Sequence, residues 1–175
     1  MTHEDTQRIM ESTFGNLVFF CRDAHVDERQ IRQYQPGQIL EEHAFTDVSY
    51  KLAGLAQNCR YLIASSNWRD LSGINPASDT GHALLSSGSL FKALSVQQSH
   101  GKTQILLLHI PAEGLEYFRT SESDFEKSIT EKGAEIFKEN LTKEPLPELQ
   151  TSEWLERTSY PVGFDEEGKL CVVNN

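Results

Sequence analysis

Between two apolar runs the chain reads "IASSNWRDLSGINPASDTGHALLSSGSL", residues 63–90, and this stretch gathers most of the side chains able to do chemistry. Ser65 or Ser66 could serve as a nucleophile, His82 as its general base, Asp79 as the acid that orients the imidazole, and Arg69 as an anchor for an anion. That set would suit a hydrolase or a group transferase, provided His82 comes within hydrogen-bond reach of the proton it must remove. Asn67, Trp68, Arg69 and Asp70 supply donors, acceptors and one large ring for holding a ligand, and "SSGS" at 86–89 could turn backbone N–H groups toward an anion.

The same residue types have a plainer use. Ser, Asn, Asp and Gly satisfy turns by bonding their own backbone, so "SSNW", "NPASD" and "SSGS" form turns without any ligand. No GxSxG elbow or Walker loop is present. The first expectation is therefore a noncatalytic domain that binds a small molecule or a protein at a cleft beside the 65–89 loop. Ser/His/Asp chemistry from that loop is the alternative, and a structural or self-associating module that forms homo-oligomers is a further one.

Outside this stretch the signals thin out. No two of the six histidines are three or four residues apart, so neither a metal site nor any other cofactor is expected. His109 lies within an apolar run and reads as a core imidazole, while His100 belongs to a turn. Cys21, Cys59 and Cys171 are odd in number and have no CxxC spacing, which argues against a disulfide scaffold and for a reducing, cytoplasmic setting.

The formal net charge is −10, and residues 112–175 hold 15 of the acidic residues against 7 basic ones. Such a field repels phosphate backbones and anionic lipid, so neither nucleic acid nor membrane is expected as a partner. At 38% hydrophobic residues, the 175-residue chain is apolar enough to fold throughout, and one domain spanning 1–175 is the economical reading.

The elements that must position these residues follow from periodicity. "HEDTQRIMES" suits a helix, "GNLVFFC" and "CRYLIAS" are buried strands, and Asp27 can cap a helix that Pro36 and Gly37 must end. Val48, Leu52 and Leu55 recur at helical spacing, which predicts a helix over "TDVSYKLAGLAQN". Phe91–Gln98 and Thr103–Ile110 should pair as a hairpin through "SHGK", although a helix over 90–98 competes. Ser123 and Glu126 form a capping box for a long helix, "TKEPLPELQ" should run extended, and "YPVGFDEEGKLCVV" should make a second hairpin around Gly168. The sum is an α+β fold: a mixed, mostly antiparallel sheet with helices packed mainly on one face.

Overall fold

A computed structural model describes residues 1–74 and 79–173. The turn expected at "NPAS", residues 75–78, lies outside the described residues. The strands are β1 (Val18–Ala24), β2 (Ile39–Glu42), β3 (Thr46–Ser49), β4 (Cys59–Ser65), β5 (Arg69–Asp70), β6 (His82–Leu85), β7 (Ser89–Ser99) and β8 (Lys102–Ile110). The α-helices are α1 (His3–Phe14), α2 (Glu28–Ile31), α3 (Leu115–Thr120), α4 (Asp124–Asn140) and α5 (Ser152–Arg157). Eight strands form one sheet in the order β2-β7-β8-β4-β1-β3-β6-β5, and β4 with β8 is its parallel pair. The fold is thus the expected α+β class, with more strands than periodicity alone suggests.

The sheet curls, and chain geometry requires it. Three residues link β4 to β5, a reach of about 14 Å, yet β1, β3 and β6 intervene, which in a flat sheet would span about 19 Å. One face carries Leu62, Ala64, Leu106 and Leu108 and packs against Ile9 of α1, Phe118 of α3, and Ile129 and Ile136 of α4. The other, concave face holds Phe20, Tyr61, Ile63, Leu85, Phe91 and Leu107, closed by Tyr34, Val162 and Leu170.

Local chemistry explains the clearer elements. Ser123 Oγ accepts from the Glu126 amide at 3.2 Å while Glu126 caps Ser123 in return, which starts α4. Gly133, a poor helix former, sits where a Cβ would come within 2.8 Å of Leu106, so its absence of a side chain lets α4 lie close on β8. His100 and Gly101 both take positive φ, 54° and 72°, the two-residue turn that matches hairpin twist. The strand pairing of β7 with β8 settles the choice at 90–98 against a helix.

Three expectations are corrected. The helix over 46–58 does not form: residues 46–49 are β3, and the backbone after it is held by side chains. Arg60, fully buried, donates to the carbonyls of Ala53 and Gly54, and Asp23 accepts the amide of Ala56 at 2.8 Å. These bonds give the peptide groups partners other than a helix, so the apolar spacing was coincidental. Residues 147–149 form a 3₁₀ turn and α5 follows, capped by Thr151, where an extended run was expected at 142–150. The C-terminal hairpin is smaller than expected: one bridge between Phe164 and Leu170, flanked by the Asp165 amide on the Lys169 carbonyl and the Cys171 amide on that of Gly163, after which residues 171–173 pair with β2.

Arg60 and Asp23 make a two-pronged pair, Nε to Oδ1 at 2.7 Å and Nη2 to Oδ2 at 2.8 Å, with both side chains buried. Removing one charge strands the other in a medium that cannot solvate it. Asp23→Asn should therefore lower unfolding free energy by about 3–5 kcal/mol, read from urea denaturation; a loss below about 1 kcal/mol, the exposed-pair range, would contradict the assignment.

Candidate functional site

The register of β3 and β6 sets Ser49 opposite His82, and the two-residue period of a strand puts Asp47 on the same face. His82 opens β6 immediately after Gly81, whose φ of 63° and crowding by Tyr50 and Lys51 leave little room for a side chain. From there His82 Nε2 meets Asp47 Oδ1 at 2.6 Å, and both side chains are more than four-fifths buried. A carboxylate only accepts, so Nε2 carries a proton, and in the neutral form of the ring Nδ1 is the nitrogen with the lone pair. Among the described residues no hydrogen bond engages Nδ1.

Helix α5 covers this pair from the outer face. The Thr151 hydroxyl accepts the Trp154 amide and fixes the start of the helix, which stands the Trp154 ring edge-on to His82 at 5.1 Å. One turn later Arg157 comes within 3.7 Å of Asp47 Oδ1 and 4.0 Å of Glu153, while remaining 45% exposed. His82, Trp154 and Arg157, with Ser72 and Thr80 across from them, line a cleft of about 170 Å³. An oriented imidazole, an aromatic wall and a cation are thus brought to one hollow. That set can take a proton from an acceptor and hold a planar or anionic group.

The other sequence candidates are distributed elsewhere. Asp79 pairs with Lys51 at 3.2 Å, so Asp47 is the acid beside His82. Ser65 is fully buried at the end of β4, with β1 and β3 between it and β6; its hydroxyl meets His109 Nδ1 at 2.8 Å and accepts the Asn67 amide at 3.1 Å. Ser66 donates to the Thr13 carbonyl. Trp68 packs edge-on against Phe20 at 5.2 Å, anchoring the loop in the concave core. Arg69 and Asp70 are exposed in β5, and hydrogen bonds from Ser72 hold the Asp70 carboxyl below its ordinary range. At "SSGS" the Gly88 amide donates to the Glu42 carbonyl and the Ser89 hydroxyl to that of Ser86, so this turn is satisfied internally.

The polar passage does line concavities. Besides the His82 cleft, a hollow of about 330 Å³ gathers Ser66, Asn67 and residues 86–89 around His109. Burial pushes the His109 imidazole down to about 4, so it is neutral at physiological pH and a weak base. Burial also pushes the thiols of Cys21 and Cys59 up to about 12, which withholds the nucleophilic thiolate. Asp47, Trp154 and Arg157 were missed by sequence reasoning. The one available signal for Asp47 was its alternation with Ser49, which the competing helical period obscured.

No family model matches the chain, and no curated protein matches it. Among solved structures, the ADP-ribosyltransferase toxin Vis from Vibrio splendidus aligns at 14% identity over 57% of this chain and 51% of its own, with a TM-score of 0.46. The ADP-ribosyltransferase HopU1 of Pseudomonas syringae aligns at 21% identity over 54% and 45%, TM-score 0.48. Exoenzyme S from Pseudomonas aeruginosa, in complex with human 14-3-3 protein beta and bound to Carba-NAD, aligns at 14% over 68% and 65%, TM-score 0.49. The chain covers less than two thirds of each. The expectation of a noncatalytic binding domain is corrected at this point: the cleft holds an imidazole oriented by a carboxylate, and the enzyme alternative is carried forward in its place. Among the described residues, no helix is long and apolar enough to cross a membrane.

The His109 shift has a stability consequence. The unfolded imidazole takes a proton near pH 6.5, whereas the folded one does so at about 4, so the unfolded state binds more protons in between and stability falls as pH drops through that window. In urea titrations at a series of pH values, His109→Gln should flatten the decline between pH 6.5 and 4. Curves that run parallel for the two proteins would refute the buried, neutral imidazole.

Proposed function

We propose that residues 1–175 act as one folded unit that transfers a group from a small-molecule donor to an acceptor, with His82 as general base and Asp47 as its orienting acid. The observation that carries this reading is the 2.6 Å bond between Nε2 and Oδ1 at the wall of a cleft also lined by Trp154 and Arg157. The bond fixes the ring and its tautomer and stabilises the imidazolium formed when Nδ1 takes a proton. As an acceptor X–H attacks, X bonds to the electrophilic carbon of the donor, its proton passes to Nδ1, and the leaving group departs with the electron pair. Arg157 would hold an anionic part of the donor and Trp154 a planar part.

Group transfer is favoured over Ser-based hydrolysis because Ser65 is buried and bonded to a histidine of low basicity, while His82 opens to the cleft. The first donor to test is NAD, with ADP-ribose as the group moved and nicotinamide as the leaving group. The partners in this reading are the small-molecule donor and the acceptor.

Nicotinamide release from NAD, followed by chromatography with and without candidate acceptors, tests both parts. His82→Gln should reduce turnover by about 10²–10⁴-fold, and Ser65→Ala should leave it within a few-fold. Loss of turnover in Ser65→Ala with His82→Gln active would move the chemistry to the other histidine; absence of release from the unaltered protein would remove NAD as donor.

A further inference from the structure

Arg22, in β1, is 5% exposed, and no carboxylate lies within 4 Å of it among the described residues. Its donors go to peptide carbonyls: Nη1 to Asp47 at 3.0 Å and Nη2 to Tyr160 at 2.9 Å, while its Nε is buried without a hydrogen-bond partner. Burying a guanidinium with no carboxylate in direct contact is unfavourable, so the two carbonyls it joins are informative. One belongs to the strand residue whose carboxylate orients His82. The other belongs to a C-terminal strap, residues 159–173.

The strap is seated by contacts distinct from those of the sheet. Tyr34 donates to the Val162 carbonyl at 2.5 Å, the Gly163 amide donates to buried Glu42 at 2.6 Å, and the backbone of Cys171 and Val173 pairs with Glu41 and Ile39 along β2. Val162 and Leu170 are its apolar anchors. It begins directly after α5, and Thr158 at the junction donates to the carbonyls of Asp23 and Trp154. The strap is therefore joined twice to the acid–base pair: through Arg22 to Asp47, and through α5 to Trp154.

We infer that Arg22 is a positioning residue that couples the seating of the strap to the His82–Asp47 pair. With the strap seated, one guanidinium holds the Tyr160 and Asp47 carbonyls in fixed relation, and β3 presents the Asp47 carboxylate to Nε2. When the strap lifts, Nη2 loses its acceptor, the clamp on β3 relaxes, and the bond that fixes the imidazole changes. Displacement of the strap by a partner would thus regulate the base without touching it.

The inference rests on His82 as the reacting base, but its test reads ring nitrogens and amide exchange instead of turnover. Two variants act at opposite ends of the coupling: Arg22→Met, with Arg22→Lys retaining the charge, and Gly163→Ala, which introduces a side chain at a φ of 84° within the strap. The measurements are ¹⁵N chemical shifts of the His82 ring and hydrogen exchange at the Glu41 and Val173 amides, which donate across the seam between β2 and the strap. Each variant should speed exchange at both amides by about tenfold and move the His82 shifts in the same direction, with Arg22→Lys intermediate. The double variant should move the ring signals no further than Arg22→Met alone. Faster strap exchange with unchanged His82 nitrogens, or additive shifts in the double variant, would overturn the coupling. If Arg22→Met fails to fold, the comparison of Arg22→Lys with Gly163→Ala decides by the same criterion. A His82→Gln protein that still released nicotinamide would remove the proposed base and leave the structural coupling in place.

Discussion

The buried ion pair of Arg60 with Asp23 is the constraint on which the rest of the arrangement depends. It joins β4 to β1 at the middle of the sheet and spends its remaining hydrogen-bonding capacity on the peptide groups of 53, 54 and 56. Those bonds hold residues 50–58 as an irregular crossing. Gly54 passes so close to Lys143 that a Cβ there would stand 2.0 Å from its carbonyl oxygen. With this crossing fixed, β3 is placed beside β1, and the residues of β3 can meet β6 in the register that joins Asp47 to His82.

How much of this could be read from the residues alone depended on whether the determining forces were local. The capping box at Ser123, the two-residue turn at His100 and Gly101, and the strand at 59–65 with its apolar stretch 61–64 are decided by near neighbours, and all three were legible. The segment 46–58 was misread because its backbone partners, Arg60 and Asp23, come from other strands and leave no periodic trace. The long polar passage was correctly located as a lining of hollows, yet its internal pairing was illegible: β5 is two residues long, too short for any pattern. His82 was singled out from its setting, whereas its partner Asp47, 35 positions away, is revealed only by strand register.

The two histidines of the polar hollows show how environment divides one residue type into two roles. His109 faces a neutral hydroxyl, in surroundings that withhold solvent, so protonation is disfavoured and the ring acts as a fixed polar wall. His82 faces a carboxylate, with a guanidinium nearby and an aromatic edge beside it, so a positive ring has a counter-charge ready. The second arrangement is the one that the proposed proton abstraction calls on. The same contrast separates the buried cysteines, silent at neutral pH, from the groups at the cleft.

Closure of the sheet's two rims carries a further consequence. At one rim β5 offers two charged residues and almost no free ladder; at the other, the backbone of 171–173 covers β2. An open rim is a template on which a foreign strand can grow, and native sheets guard against this with short, charged or covered margins. Here one guard is the strand itself and the other is a separate stretch of chain laid over β2. Any event that lifts the strap therefore also uncovers an adhesive margin, and the protein can tolerate such an opening only briefly or in the company of a partner that takes the vacated place.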